Sequence, residues 1–311
     1  MGTEEHFLRK VARLYYLEEL TLKEIAERLS VSTATVSRSL SRARDRGIVQ
    51  ISIAEGEADN SDLEVAVAGR FSLAECLLSA SAESRQVTYS DLAEPVEELL
   101  SRALPPSGLL GVSWGSTLKT VAHHIEGARA RGVDVVPIIG AMGMIETGIY
   151  PNGIAQAFAR ALGGDSYLVN APALLDSVET AEGVRRDSTF APVGKLWERL
   201  DVVLVGAGGL SSTTSLGTSG VFTTEEIRQM EAAGAVCAMN FLFLDAEGRV
   251  LDHPVARRII NLPVEQLKRV PHVVVVASGP EKIEPIRVAL RSGLVTTLIS
   301  DVETARGLMA Q

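Results

Sequence analysis

The chain has 311 residues, of which 46% are hydrophobic and 22% charged, a balance typical of a folded protein with room for about two domains. A net charge of −9 argues against nucleic-acid binding over the whole surface, but residues 1–50 hold nine Lys and Arg against seven Asp and Glu. Two isolated cysteines argue against a disulfide framework or a metal site, and no apolar run reaches the ~18 residues of a membrane span. These features predict a cytoplasmic protein without metal, cofactor or membrane partner, in which DNA contact is confined to the N-terminus.

Residues 21–50 show the pattern of two short helices joined by a tight turn. Apolar side chains recur at helical spacing on both, at Ile25, Ala26 and Leu29 and then at Val36, Leu40 and Ala43. Ser32 is placed to cap the second helix, because its hydroxyl can accept hydrogen bonds from the amides of the first turn. An earlier helix, marked by Phe7, Val11, Leu14 and Tyr15, is expected to complete a three-helix core.

The exposed face of the second helix carries hydroxyl and guanidinium groups, which suit base edges and phosphates. The N-terminal part of the second helix of a helix-turn-helix faces the bases, and a strand such as 48–53 would form a wing. The expected DNA-binding residues are Thr33, Thr35, Ser37, Arg38 and Arg42. Thr33, Thr35 and Arg38 are expected to contact bases, and Arg42, together with Arg44 and Arg46, is expected to contact the DNA backbone. The alternative is an ordinary helical hairpin with a solvated basic face.

A small, polar and acidic segment at 55–62 predicts a linker between an N-terminal domain, 1–54, and a second domain, 63–311. Beyond it, short apolar runs alternate with helical patterns. Strands are predicted at 75–79, 109–112, 133–138, 167–169, 202–205, 235–239, 272–277 and 297–299. Helices are predicted at 92–103, 117–130, 154–162, 225–233, 284–292 and 302–309. This alternation predicts a Rossmann-like α/β domain with a mostly parallel sheet covered on both faces.

The loop at 111–117 follows a predicted strand and opens a predicted helix, which is where ligands of open α/β sheets bind. Its glycines allow close backbone approach, and its hydroxyls and the helix N-terminus favour an anion such as a phosphate. One alternative is a plain strand-to-helix turn. The other is a nucleophile elbow, since Gly111-x-Ser113-x-Gly115 matches that pattern; Asp245 with His253 or His272 would then complete a triad.

Further polar and glycine-rich loops follow other strands. Glycines at 140–143 and 206–209 suggest one shared crevice. Asn152 is either a ligand group or a helix cap, and Asp245 in a predicted hairpin at 241–250 either faces a sugar hydroxyl or stabilises its own turn. Lys282 either neutralises a phosphate or is a solvated charge.

Taken in order, the helix-turn-helix and the segments 111–117, 152–155, 201–206, 240–245 and 279–301 resemble the SorC/DeoR-type bacterial transcriptional regulators. The resemblance covers nearly the whole chain and rests on the ordered set. It implies a C-terminal sugar-binding domain related to sugar-phosphate isomerases, without their catalysis. It also implies a phosphorylated sugar or sugar derivative as effector, and homodimers or homotetramers on operator DNA.

The resemblance also assigns residues: Ser116 and Thr117 would meet the phosphate with Lys282 nearby, and Asn152 and Asp245 would meet the sugar. The full expected effector site is Ser113, Gly115, Ser116, Thr117, Gly140, Asn152, Gly206, Asp245 and Lys282. Residues 145–152 contain no lysine, so reversible binding is expected and not a Schiff base. We therefore expect a DNA-binding regulator with no catalytic residues; the alternative is a sugar-phosphate isomerase or hydrolase fused to a helical domain.

Overall fold

The computed structural model describes residues 2–50, 60–79, 88–125, 132–142, 150–211 and 214–310. The chain divides into two compact units, Met1–Glu57 and Ala58–Gln311. Most of the predicted linker lies outside the described residues, and its last two positions, Ser61 and Asp62, begin a helix. Residues 51–53 of the predicted wing also lie outside the described residues.

The N-terminal unit contains three helices, α1 (Gly2–Tyr16), α2 (Leu22–Leu29) and α3 (Thr33–Asp45). Thr21 and Glu24 form a capping box at the start of α2, and Ser30 ends that helix in the left-handed conformation. Two residues on, the Ser32 hydroxyl caps α3 by accepting from the Thr35 amide at 3.1 Å. The core side chains are Val11, Leu14, Ile25, Ala26, Val36 and Leu40. The prediction that Tyr15 joins them is wrong, because Tyr15 is exposed while Leu8 and Ala12 pack against Ala43.

The second unit is built on a parallel seven-stranded sheet and a small antiparallel sheet. The strands are β1 (Glu75–Leu78), β2 (Leu109–Val112), β3 (Val133–Pro137), β4 (Gly163–Ser166), β5 (Val202–Val205), β6 (Ala207–Gly208), β7 (Cys237–Met239), β8 (Leu242–Leu244), β9 (His272–Val276) and β10 (Thr297–Ser300). The order in the large sheet is β1-β10-β9-β5-β2-β3-β4, and β6-β7-β8 form the small one. This confirms the predicted α/β class.

Helices cover both faces of the large sheet. The helices of the second unit are α4 (Ser61–Phe71), α5 (Ala93–Ala103), α6 (Ser116–His124), α7 (Pro151–Leu162), α8 (Val178–Arg186), α9 (Ala191–Trp197), α10 (Ser215–Thr218), α11 (Thr224–Ala232), α12 (Pro254–Arg257), α13 (Val264–Leu267), α14 (Ile283–Arg291) and α15 (Val302–Met309). Successive strand residues point to opposite cores, as Val203 and Leu204 show. No helix in the described part of the chain is long and apolar enough to cross a membrane.

Three predicted elements differ from the structure. The strand expected at 167–169 lies at 163–166, where a Cβ on Gly164 would meet the Val133 carbonyl oxygen at 1.9 Å, so the edge strand requires glycine to approach its neighbour. The run at 235–239 contributes only Cys237–Met239, in the small sheet. The helix expected at 117–130 ends at His124, and residues 126–130 lie outside the described ones.

Strand order fixes where a ligand site can form. From β2 the chain proceeds outward to β3 and β4, whereas from β5 it proceeds in the opposite direction to β9. The two directions diverge between β2 and β5, and such a switch point leaves a crevice at the carboxyl ends of the two strands.

Both cysteines are free and buried. Burial raises the pKa of the Cys76 and Cys237 thiols to about 12. They therefore stay protonated near neutral pH and act as small apolar core residues.

Candidate functional site

A cavity of about 500 Å³ lies at the carboxyl ends of β2 and β5, at the switch point of the sheet. Six of the nine residues predicted for the effector site line it: Ser113, Gly115, Ser116, Thr117, Gly206 and Lys282. Tyr89, Trp114, Asn240, Phe241 and Glu281 line it as well. Among the described residues, no group of three or more His, Cys, Asp or Glu is arranged to hold a metal ion.

Lys282 brings a positive charge into the cavity from a 3₁₀ turn between β9 and α14. Its ammonium donates to the Tyr89 hydroxyl at 3.0 Å and to Thr117 Oγ1 at 3.4 Å, and it lies 4.5 Å from the centre of the Tyr89 ring. In the described part of the chain, no carboxylate lies within ion-pair distance of this ammonium. The charge is therefore held in place by neutral groups and can pair with an anion.

The N-terminus of α6 faces the same cavity. Gly115 precedes the helix with φ +128°, a conformation that side-chain-bearing residues rarely adopt, and no described side chain caps the first turn. The first amides of a helix carry a partial positive charge and lack partners within the helix. Together with the hydroxyls of Ser116 and Thr117 and the ammonium of Lys282, they make this end of the cavity suitable for a phosphate.

Ser113 is buried and bonded within the protein. Its hydroxyl donates to Asn240 Oδ1 at 2.7 Å, and Asn240 Nδ2 donates to the Ile138 carbonyl oxygen at 3.2 Å. A nucleophile elbow would place a histidine at this hydroxyl. His253 instead accepts from the Val255 amide, and His272 begins β9 beside Val202, at the amino ends of the strands. The described residues do not assemble the triad that the Gly-x-Ser-x-Gly pattern suggested.

Asn152 and Gly140 do not line the cavity, in contrast to the prediction. Asn152 forms two hydrogen bonds with the backbone of Val169, accepting at 3.0 Å and donating at 3.2 Å, and so ties α7 to the chain after β4. Gly140 packs against neighbouring backbone so closely that a Cβ would lie 2.6 Å from the Pro172 carbonyl oxygen. Both residues have structural contacts that account for their types.

Asp245 also lies outside the cavity lining. Its Oδ1 accepts from the amides of Glu247 and Arg249, and its Oδ2 accepts from Arg249 Nε at 2.8 Å. The carboxylate therefore stabilises its own turn, which was the second of the two interpretations of this residue.

The predicted DNA-binding side chains lie on or near the solvent face of α3. Thr33, Ser37, Arg38 and Arg42 are exposed, and Thr35 is half-buried with its hydroxyl bonded to Ser32 Oγ. The Arg38 Nε donates to the Ala34 carbonyl oxygen at 3.2 Å, and the side chain is exposed. Arg42 pairs with Glu4 of α1, and since both groups are exposed this pair is weak enough for a DNA phosphate to replace.

Sequence reasoning missed Tyr89 and Asn240 as lining residues. Tyr89 approaches Lys282 across 193 positions of sequence, a contact that no local pattern reveals. Asn240 lies in the two-residue turn between β7 and β8 with φ +52°, and an Asn at such a turn looks like turn chemistry alone.

Comparison with known proteins identifies the family. Residues 57–310 match the family described as "Putative sugar-binding domain", and residues 8–46 match region 4 of sigma-70. The first match spans more than half of the chain. The chain belongs to the SorC/DeoR-type transcriptional regulators with a C-terminal sugar-binding domain. This confirms the resemblance seen in the sequence.

Known regulators are similar to this chain along nearly its whole length. The sorbitol operon regulator of Klebsiella pneumoniae is 29% identical over 96% of this chain and 96% of its own. The deoxyribonucleoside regulator of Bacillus subtilis is 27% identical, with the same coverage of both chains. The crystal structure of full-length SorC from K. pneumoniae matches with a TM-score of 0.74 and 28% identity over 99% of both chains. Both of these proteins are named as regulators.

Proposed function

We propose that this regulator binds operator DNA through α3 and that a phosphorylated sugar or sugar derivative, held in the cavity between β2 and β5, controls that binding. The observation that carries the effector proposal is the position of the Lys282 ammonium, 3.4 Å from Thr117 Oγ1 at the start of α6 and facing the cavity. A cation beside helix amides and hydroxyls is the combination that binds phosphate.

Reversible binding of the effector and control of DNA binding are parts of the same proposal. Residues 145–152 contain no lysine, and Lys282 is placed beside the proposed phosphate, so we expect non-covalent binding and not a Schiff base. The ligand would favour one arrangement of paired subunits and thereby change the spacing of two α3 helices on the operator. A homodimer or homotetramer acting in the cytoplasm, where operator DNA is found, fits this proposal, and no catalytic step is assigned to the cavity.

The DNA proposal predicts that Arg38→Ala weakens binding to DNA selected by the wild-type protein from a random library. Loss of a base contact costs about 1–3 kcal/mol of binding free energy. Fluorescence anisotropy measures the change, and Arg9→Ala is the matched control, because Arg9 is an exposed arginine of α1 paired with Glu5 at 2.6 Å. If Arg38→Ala still bound the selected DNA with unchanged, sequence-specific affinity, α3 would not be the helix that reads the operator.

The effector proposal predicts thermal stabilisation by some members of a panel of sugar phosphates, by about 2.7 kcal/mol at a ligand concentration one hundred times Kd. Lys282→Met should abolish this stabilisation, since it removes the cation. Lys268→Met is the control, because Lys268 is paired with Glu265 and does not line the cavity. A full shift in Lys282→Met would contradict the proposal, and turnover of a stabilising ligand would favour the isomerase or hydrolase alternative.

A further inference from the structure

The cavity has two chemically different walls. Its polar wall consists of Tyr89, Ser116, Thr117 and Lys282. Its apolar wall consists of Trp114, Leu210, Leu216, Ala238 and Phe241. A ligand that fills the cavity must satisfy both walls, so its chemistry can be narrowed beyond the proposed phosphate group.

The apolar wall is part of a packed core and not a loose surface. Leu210, Leu216 and Phe241 are buried in one hydrophobic cluster, against which Trp114 and Ala238 pack. The Trp114 and Phe241 rings meet edge to face with centres 5.0 Å apart. This packing fixes the wall, because rearranging it to present polar groups would open the cluster to water.

Polar side chains near the apolar wall already have partners. The Asn240 amide accepts from Ser113 and donates to a carbonyl oxygen, so both of its ends are engaged. The Thr214 hydroxyl donates to the Ser211 carbonyl oxygen at 2.7 Å. A sugar hydroxyl directed against Leu210, Leu216 and Phe241 would exchange water for apolar side chains, which is unfavourable.

The charges of the lining limit the number of phosphates. Among the described lining residues, Lys282 is the cation and Glu281 is the anion, so these two charges cancel. One phosphate can be placed at Lys282 and the N-terminus of α6. A second phosphate would meet no second described cation and would be repelled by Glu281.

We infer that the effector is a sugar monophosphate that carries an apolar substituent, such as an aromatic or alkyl aglycone, which contacts the apolar wall. A volume of about 500 Å³ leaves room for such a group, since cavities of this size commonly enclose ligands larger than a simple metabolite. The inference rests on the proposed phosphate site, because it takes the polar wall as the phosphate end of the ligand.

Two ligands that differ only in the apolar group test the inference. Glucose 6-phosphate and phenyl β-D-glucoside 6-phosphate are titrated into the full-length protein by calorimetry. The phenyl compound should bind at least about tenfold more tightly, a typical effect of apolar groups in a fitted pocket. Leu216→Asn, which places an amide in the apolar wall, should reduce the preference towards one; Ala238→Ser serves the same purpose if Leu216→Asn fails to fold.

The outcomes separate the inference from the proposal beneath it. The inference of an apolar substituent is contradicted if glucose 6-phosphate binds as tightly as the phenyl compound or more tightly. If Lys282→Met then loses binding of both compounds, the proposed phosphate site is still supported. Absence of Lys282-dependent binding by either compound overturns the inference, whereas the phosphate site itself fails only if no member of the sugar-phosphate panel gives a Lys282-dependent shift. A preference that survives unchanged in Leu216→Asn and Ala238→Ser also contradicts the inference, since the apolar wall would not be its source.

Discussion

Ser113 and Asn240 form the buried polar contact beneath the cavity. The Asn240 side chain accepts a hydrogen bond from the Ser113 hydroxyl at Oδ1 and donates one from Nδ2 to the Ile138 carbonyl oxygen. The backbone carbonyl oxygen of Asn240 accepts from Asn261 Nδ2 at 2.9 Å. Asn240 and Phe241 also have φ values of +52° and +56°, which fit a two-residue hairpin turn. Packing of the Phe241 ring holds this uncommon backbone, so the floor of the cavity is fixed by hydrogen bonds and by aromatic contacts together.

Ser113→Ala is expected to destabilise the second unit by about 1–3 kcal/mol, because it leaves the Asn240 oxygen buried without its donor. Urea unfolding measures the loss in free energy of unfolding. Ser101→Ala is the control, since the Ser101 hydroxyl donates to the Glu98 carbonyl oxygen of its own helix, a partly exposed bond that leaves no buried group without its donor. Equal stability of the two variants would contradict a structural role for Ser113, and a nucleophile would instead show lost turnover at unchanged stability.

A residue could be assigned to the cavity from the sequence when its position after a predicted strand was sufficient to place it there. Ser116, Thr117 and Lys282 line the cavity because each lies just after a strand of the central sheet. Asp245 also follows a strand, and Asn152 lies at the start of a helix, but a short polar side chain can bond its own neighbourhood as readily as a ligand. Sequence left both interpretations open for these two, and the structure favours the local one.

At the scale of elements, the best predictions were those with both periodicity and a cap. α3 has an apolar stripe at Val36, Leu40 and Ala43 and a Ser32 cap, and all of these features are confirmed. β4 has neither signal, since its sequence is Gly-Gly-Asp-Ser, whereas Leu168 is 46% exposed although it lies in an apolar run. The position of this edge strand depends on how closely its backbone can approach the neighbouring strand. Side-chain patterns in the sequence do not indicate that approach.

Ser32→Ala should lower the stability of α3 by about 1 kcal/mol, because the Thr35 amide loses its side-chain acceptor. Ser32→Asn should retain most of the stability of α3, because an Asn side chain can also cap a helix. Hydrogen exchange of the first α3 amides, followed by NMR, reports the change, and Ser37→Ala on the exposed face is the control. Exchange no faster in Ser32→Ala than in Ser37→Ala would show that the cap does not stabilise the helix.

At the scale of the whole molecule, sequence predicted the class of the second unit but not its strand order. The short apolar runs indicated a parallel sheet, yet β1 pairs with β10 across the length of the unit, and β6, β7 and β8 form a separate sheet. Such pairings depend on long-range packing. They matter for function, because the strand order creates the switch point between β2 and β5 where the cavity lies.

The charge distribution is consistent with a division of roles between the two units. The 1–50 segment is slightly basic, whereas the rest of the chain holds 21 Lys and Arg against 32 Asp and Glu. An acidic second unit is repelled by DNA, so attraction to phosphates is concentrated at the helix-turn-helix.

Operator binding measured with and without the stabilising sugar phosphate, in wild type and in Lys282→Met, is the most direct test of effector control. In wild type, saturating ligand should change the operator Kd by about 5–150-fold, the usual range of coupling between sites. Lys282→Met should bind the operator as wild type does without ligand and should not respond to ligand. An equal response in both proteins, or no response in wild type despite bound ligand, would contradict control of DNA binding from the cavity at Lys282.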